Sequence, residues 1–293
     1  MAEIPFVSVL VTVYNREAYL AACLESILAS SWNDFEVVVV DDRSTDGSAA
    51  IAAEYASRDP RVRLHQNDRN LGDYPNRMRA AELARGRYIK YVDSDDLIYG
   101  HSLAIMVEAM EAHPAAGFGL SHSSPEDDQP YPWMLSPPDA WKKEFLGSGC
   151  LSCGPSGAII RRDAFFEAKG FRDWGVLSDI DLWYRLSARL PVVLLPPGLV
   201  WWRRHEAQEF VRDDADMFYL EKGLSLAVDA LTSAGGPLSQ SERHAALARA
   251  RRHHARRLMS LALRRRRPLR ALQLLRRSGL SGADVIQGFR AYR

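Results

Sequence analysis

Within residues 1–100, short apolar runs alternate with stretches of helical period, and the runs at 6–13, 37–40 and 88–92 stop at polar side chains. No other feature narrows the possible folds as much. Residues 6–13 are valine-rich and read as a strand. Residues 17–30 place Tyr19, Leu20, Cys23, Leu24, Ile27 and Leu28 at helical spacing. Residues 37–40 are four consecutive valines, as in a parallel strand covered on both faces. Asp41-Asp42 follow, with Ser44 or Thr45 placed to cap a helix over 47–57. A short strand at 61–65, a helix at 75–85 stopped by Gly86, a strand at 88–92 and a helix at 101–113 stopped by Pro114 complete the series. This β-α-β-α-β-α-β order predicts an α/β fold with a mostly parallel sheet. Ligands of such sheets sit beyond the carboxyl ends of the strands. Those ends carry Tyr14-Asn15, Asp41-Asp42, and Asp93 with Asp95.

The strand at 88–92 runs directly into Asp93-Ser94-Asp95-Asp96. In extended chain Asp93 and Asp95 share one side and Asp96 takes the other. Two carboxylates on one side of a strand end form a hard-oxygen site suited to Mg²⁺ or Mn²⁺ held jointly with substrate phosphates. The plainer reading is a solvated acidic turn in which Asp96 caps a helix. A dinucleotide site is excluded by the first strand's exit, Val13-Tyr14-Asn15-Arg16-Glu17-Ala18, which holds no glycine. A P-loop is absent as well. A phosphate ligand would therefore need a cation.

Beyond residue 113 the pattern loosens. A strand at 117–121, a polar and proline-rich loop at 123–138, and a short helix at 139–146 are expected. So are a strand at 158–160, helices at 163–169 (stopped by Gly170) and 179–189, and strands at 192–195 and 199–202 around Pro196-Pro197-Gly198. From residue 214 the chain reads as helical. Glu126-Asp127-Asp128 is read as solvated, and Cys150 with Cys153 as part of a loop, since a lone C-x-x-C supplies half a zinc site. Three cysteines form no disulfide framework and fit a reducing compartment. No apolar stretch reaches the ~18 residues of a membrane span, and the N-terminal segment is read as a strand rather than a signal peptide.

Charge is segregated. Residues 243–293 carry fifteen arginines against one aspartate, a net of +14; with the whole chain at +1, residues 1–242 carry −13. A basic tail on an acidic body points to an anionic contact. Arginines around a leucine stripe suit an anionic membrane surface; a cap packed on the acidic body is the other reading. Nucleic acid is disfavoured because no aromatics interleave the arginines.

The motifs also carry a resemblance. Residues 7–15 (VSVLVTVYN) and 35–48 (FEVVVVDDRSTDGS) resemble the opening strands of family 2 glycosyltransferases of the GT-A fold. Asn70-Leu71-Gly72, Asn76, Gly86-Arg87-Tyr88-Ile89 and Asp93-Ser94-Asp95-Asp96 follow in that family's order, and residues 178–186 (SDIDLWYRL) resemble its later acidic motif. The resemblance spans roughly residues 5–210. It implies a GT-A, Rossmann-like sheet with helices on both faces over residues 1–212, divided into a nucleotide-binding half (1–100) and an acceptor-binding half (101–212). A basic α-helical extension, 213–293, follows.

The activity implied is inverting transfer of a sugar from a nucleoside-diphosphate donor, most often UDP-linked, to a glycan or lipid-linked glycan. Mn²⁺ or Mg²⁺ would bridge the diphosphate. Thr12 and Tyr14 would line the base, Asp42 would accept a hydrogen bond from it and Asp93 would face the ribose. Asn15, Gly72, Asn76 and Ser94 complete the nucleotide positions. Asp95 would ligate the metal, with His205 a second ligand. Asp179 matches the catalytic base. Gly154, Ser156 and Gly157 would lie near the donor sugar, Asp181 near the acceptor, and Arg203 or Arg204 near phosphate. The family often has Glu where this chain has Ser178, which touches acceptor contacts rather than the base. Two other classes fit the same carboxylates: a glycoside hydrolase working with Asp179 and a second acid, and a non-catalytic nucleotide-sugar binding module. The implied location is cytoplasmic, or peripheral on the cytoplasmic membrane face.

Overall fold

The computed structural model describes residues 4–121, 129–205 and 213–290. The chain runs β1 (Val7–Val13), α1 (Leu20–Leu28), β2 (Phe35–Asp41), α2 (Ser48–Arg58), β3 (Val62–Gln66), α3 (Asp73–Leu83) and β4 (Tyr88–Tyr91). It continues through β5 (Leu97–Ile98), α4 (Ser102–Ala112), β6 (Phe118–Ser121), β7 (Trp133–Leu135), α5 (Pro137–Leu146), β8 (Ala158–Arg161), α6 (Arg162–Glu167), α7 (Ser178–Ser187), β9 (Val192–Leu195) and β10 (Val200–Trp201). Four helices close the chain: α8 (Asp213–Thr232), α9 (Gln240–Leu263), α10 (Pro268–Arg277) and α11 (Gly282–Arg290).

The main sheet has the order β3-β2-β1-β4-β8-β6-β9-β7. β1 pairs in parallel with β2 and β4, and β2 with β3, so the first βαβ units bring their carboxyl ends to one edge. Val9, Val11, Val37 and Val39 are wholly buried, as the valine runs require. The antiparallel members are β8, beside β4 and β6, and β7 at the edge. Helices cover both faces. Two short strands escaped the sequence reading. β7 lies in the segment read as a loop, and β5 pairs with β10 in a separate ribbon. β10 therefore does not pair with β9 across the Pro-Pro-Gly turn, because its partner is decided across the fold rather than by proximity in sequence. The acidic cluster at 126–128 lies outside the described residues.

Gly86 is needed for closeness rather than as a helix stop. A Cβ there would meet the Ser8 backbone nitrogen at 2.5 Å, and α3 has already ended at Leu83. This approach seals the amino edge of the sheet. Gly86 N–H donates to Ser8 Oγ (2.8 Å), and Ser8 Oγ donates to buried Glu36 (2.7 Å). Arg63 (2.7 Å) and Arg85 (2.7 Å) complete the partners of Glu36.

The chain forms two compact units. One holds residues 1–137 and Leu151–Arg204; the other holds Pro138–Cys150 and His205–Arg293. In the second unit the short segment packs on the terminal helices. Arg249 donates to the carbonyls of Leu146 (2.8 Å) and Gly147 (2.7 Å), and Lys142 pairs with Glu242 (3.1 Å). Ser239 and Glu242 form a capping box at the start of α9. Leu220, Leu258, Leu261, Ala271 and Leu274 form one buried apolar cluster of this unit. Pro268 separates α9 from α10, as its missing N–H demands. Among the described residues, no helix is long and apolar enough to cross a membrane.

Candidate active site

The carboxyl edge of the parallel strands gathers the residues that the sequence singles out. Register places Val13 beside Asp41, so β1 and β2 end together, while β4 ends opposite Leu10, three positions short of the end of β1. Thr12 is half-buried, whereas Tyr14 leaves the strand 46% exposed, an open aromatic face. Asn15 turns the chain in the left-handed region (φ 52°), where Asn is better tolerated than most residues. Its Oδ1 accepts from Thr45 N–H (2.8 Å).

Asp42 sits differently from the sequence expectation of a base-facing acceptor. Its carboxylate is buried and accepts from Asn67 Nδ2 (2.8 Å), Leu71 N–H (2.8 Å) and Gly72 N–H (2.9 Å). Asp42 thus shapes the 67–72 loop, because buried backbone donors there need a partner. Gly72 adopts φ 91°, a conformation that glycine alone takes easily. Asn76 is also turned inward, donating to the Val40 carbonyl (3.2 Å) and accepting from Asn67 (2.9 Å).

The acidic stretch is a turn rather than an extension of the strand. β4 ends at Tyr91, and Asp96 N–H donates to the Asp93 carbonyl (2.8 Å). The period-two alternation expected of Asp93 and Asp95 is therefore lost, and each carboxylate has its own cation. Asp93 pairs with Arg77 (2.7 Å), and Asp95 Oδ2 accepts from Arg16 Nε (3.1 Å). Asp96 Oδ1 accepts from Arg203 N–H (3.1 Å), while Arg203 Nε donates to the Asp95 carbonyl (2.8 Å). Burial, then the nearby Asp93, pushes the Asp96 carboxyl up to about 7. Asp93 goes the other way: burial would raise it, but Arg77, with Ser156 and Lys90, together outweigh burial and hold it below the usual range. Ser94 is buried in the same turn.

Beneath this turn lies Lys90, wholly buried, which donates to the carbonyls of Tyr91 (2.8 Å) and Ser156. Burial brings its ammonium down to about 8. Ser156 Oγ in turn accepts from Asp93 N–H (3.0 Å), so Ser156 ties the short 3₁₀ turn Pro155–Gly157 to the acidic turn. Gly157 is wedged where a Cβ would strike Cys153 Sγ at 2.2 Å, and Gly154 is exposed with open space around it.

Asp179 lies in the first turn of α7, whose positive end favours an anion. Burial nonetheless lifts its carboxyl to about 7, against a hydrogen bond from Ile180 N–H (2.7 Å) and the attraction of Arg77; Asp93 adds to the rise. Asp179 therefore belongs to the same electrostatic cluster as Arg77 and Asp93. Asp181 does not. It is 1% exposed and clasped by Arg172 and Arg185. Ser178 accepts from Trp174 N–H (3.0 Å) and donates to the Gly175 carbonyl (2.7 Å), a structural use of the position. The Arg203 guanidinium lies 4.8 Å from the Trp201 ring centroid and 5.2 Å from that of Tyr19; Arg204 stands over Trp202 (5.5 Å). His205 falls in the other compact unit.

A divalent ion fits this edge only when shared with a substrate. Among the described residues no three His, Cys, Asp or Glu side chains form a metal cage. Asp95 supplies hard oxygen, with the carboxylates of Asp93 and Asp96 in the same turn. One or two carboxylates plus phosphate oxygens is the usual Mg²⁺ arrangement. Three cations central to the site were not read from the sequence as site residues: Arg16, Arg77 and Lys90. Arg77 had a local signal, its i,i+4 spacing from Asp73, with which it pairs at 2.8 Å. Lys90 was legible only as a charge inside an apolar run.

Residues 8–167 match the glycosyl transferase family 2 profile, and the chain belongs to that family. It is accordingly an enzyme, a glycosyltransferase, and the hydrolase and binding-module readings fall away. The "Putative glycosyltransferase EpsE" of Bacillus subtilis is 30% identical, over 73% of this chain and 75% of that protein. Among solved structures, S. aureus TarS in complex with UDP-GlcNAc superposes with a TM-score of 0.67 at 21% identity, covering 88% of this chain and 75% of that one. The mannosyltransferase PcManGT of Pyrobaculum calidifontis, in complex with GDP-Man and Mn²⁺, gives 0.65 at 19% identity, covering 99% and 88%. These two likenesses establish the GT-A fold.

Proposed function

We propose that this glycosyltransferase inverts the anomeric centre of a nucleoside-diphosphate sugar, UDP-linked, and transfers the sugar to a hydroxyl of a glycan or lipid-linked glycan. The observation that supports this reading is the Asp93–Arg77 ion pair (2.7 Å), both members of which act electrostatically on the buried Asp179 carboxyl. Tyr14 offers a ring to the base and Thr12 lines it. Asn15 and Gly72, with Asp42 and Asn76 behind them, shape the nucleotide pocket. Asp93 and Ser94 meet the ribose side, and Asp95 holds the metal. Gly154, Ser156 and Gly157 border the donor sugar, and Arg203 faces phosphate. Arg204 and His205 are assigned no contact, and Asp181 acts as an ion-pair anchor rather than an acceptor contact. Proteins of similar fold solved in complex with UDP-GlcNAc, and with GDP-Man and Mn²⁺, support a diphosphate-linked donor.

In the single displacement, the acceptor oxygen forms a bond to the anomeric carbon as the carbon–oxygen bond to the diphosphate breaks. The bonding pair leaves with the nucleoside diphosphate, and the acceptor proton passes to Asp179. A carboxyl near 7 suits a base working at neutral pH. Bound at Asp95, Mn²⁺ or Mg²⁺ would supply Lewis-acid neutralisation of the departing diphosphate. Titration calorimetry with UDP and MnCl₂ tests the donor half. Asp95→Ala is expected to abolish the Mn²⁺-dependent part of UDP affinity, and unchanged affinity with EDTA or in Asp95→Ala would sink the metal role.

A lipid-linked acceptor would bring a second partner, an anionic membrane surface on the cytoplasmic side. Residues 263–269, from the end of α9 to the start of α10, are exposed throughout: Leu263, four arginines, Pro268 and Leu269, with Leu269 77% exposed. Arginines beside exposed leucines suit anionic headgroups over acyl chains. Full-length protein is expected to sediment with anionic vesicles and release as salt rises. Replacing Arg264–Arg267 by Gln together with Leu269→Ser should leave it in the supernatant. Wild-type protein that ignores such vesicles at low salt removes the membrane from the proposal.

A further inference from the structure

Asp95, the carboxylate assigned to the metal, already carries a cation. Arg16 leaves β1 and reaches across 79 positions of sequence to donate Nε–H to Asp95 Oδ2 at 3.1 Å. Its Nη1 donates to the carbonyls of Tyr14 (3.3 Å) and Asn15 (3.1 Å), the residues placed at the nucleotide. The backbone of Arg16 is pinned, its N–H donating to Ser48 Oγ at 2.8 Å. The side chain is not buried with it: 26% of it is exposed, against 12% for Asp95. The backbone of Arg16 is thus held independently of its ion pair, by Ser48, while its guanidinium is partly open to solvent.

We propose that Arg16 is an internal counter-cation that holds Asp95 until a metal–diphosphate pair replaces it, so that ion and diphosphate bind as a unit. The inference rests on the reading of Asp95 as the metal ligand. A divalent ion arriving alone must displace a cation from a carboxylate already neutralised, and the released guanidinium then has no anion. When a diphosphate arrives with the ion, the guanidinium gains phosphate oxygens, which its planar fork matches. Displacement is offset only in the second case. Linkage makes the effect reciprocal, so each ligand strengthens the other by the same factor.

The test measures binding, not turnover. Free Mn²⁺ is followed by electron paramagnetic resonance in titrations of wild type, Arg16→Met and Asp95→Ala, each with and without UDP. Arg16→Met should bind Mn²⁺ alone roughly fivefold more tightly than wild type, the equivalent of about 1 kcal/mol for a partly exposed ion pair. It should also bind metal-free UDP more weakly, and the factor by which UDP strengthens Mn²⁺ binding should shrink. Arg16→Gln provides the same comparison should Arg16→Met melt below wild type. If Asp95→Ala keeps wild-type Mn²⁺ binding in the presence of UDP, the metal reading itself is wrong. If Asp95→Ala loses that binding while Arg16→Met matches wild type in both titrations, Asp95 is the ligand and Arg16 is not its counter-cation.

Discussion

The two edges of the parallel sheet bury carboxylates equally and treat them oppositely. Glu36 at the amino edge and Asp96 at the carboxyl edge are each 2% exposed. Burial alone would raise both. At Glu36, hydrogen bonds from Ser8, Arg85 and Arg63 outweigh burial and hold the carboxyl below its usual range. At Asp96, burial is joined by Asp93 and Asp95, and the carboxyl rises to about 7. Asp179 rises to the same value. Burial is thus common to both edges, and the supply of partners separates them. One edge is a closed network that holds the sheet together. The other leaves the buried charge of Asp96 and Asp179 short of partners, which costs stability and leaves both ready to take a proton.

Substitutions at the two edges should separate activity from stability, and the largest effect is expected at the base. Asp179→Asn keeps shape and loses basicity. Turnover should fall about 10²–10⁴-fold, measured as initial rates, while UDP affinity and melting temperature hold or rise. Near wild-type turnover would move the base elsewhere and dissolve the functional half of the contrast.

Glu36→Gln should do the reverse. It leaves Arg63 and Arg85 without their anion, though both are partly exposed and can turn to water. A loss of about 1–3 kcal/mol is expected in urea unfolding, with turnover per folded molecule unchanged. A loss of activity that exceeds the loss of folded protein would show that the amino edge also serves the site.

The smallest effect is the shape of the pH profiles. Asp179 must be deprotonated to act, so turnover should climb as pH passes through about 7 and flatten in Asp179→Asn. Stability should respond at the other edge. The folded pKa of Glu36 is depressed, so its contribution is complete above the unfolded carboxyl range, about 4.3. It is lost as pH falls through the lower folded value. Acid unfolding should therefore lose its steepest part in Glu36→Gln, monitored by circular dichroism between about pH 2 and 6.

The sequence by itself determined the α/β order of residues 6–113, the valine cores of β1 and β2, and the gathering of polar residues at the strand ends. It also determined the break between α9 and α10 at Pro268. These follow from periodicity, propensity and the chemistry of proline, which act within a few residues. Tertiary structure alone decided which charge meets which. Asp42 turned inward to a loop, Asp181 was clasped by Arg172 and Arg185, and Arg16 found Asp95 from 79 positions away. It also decided that β10 pairs with β5, and that the segment 138–150 packs with the terminal helices. An ion pair or a strand partner depends on where the whole chain places a side chain, and local sequence carries no record of that distance.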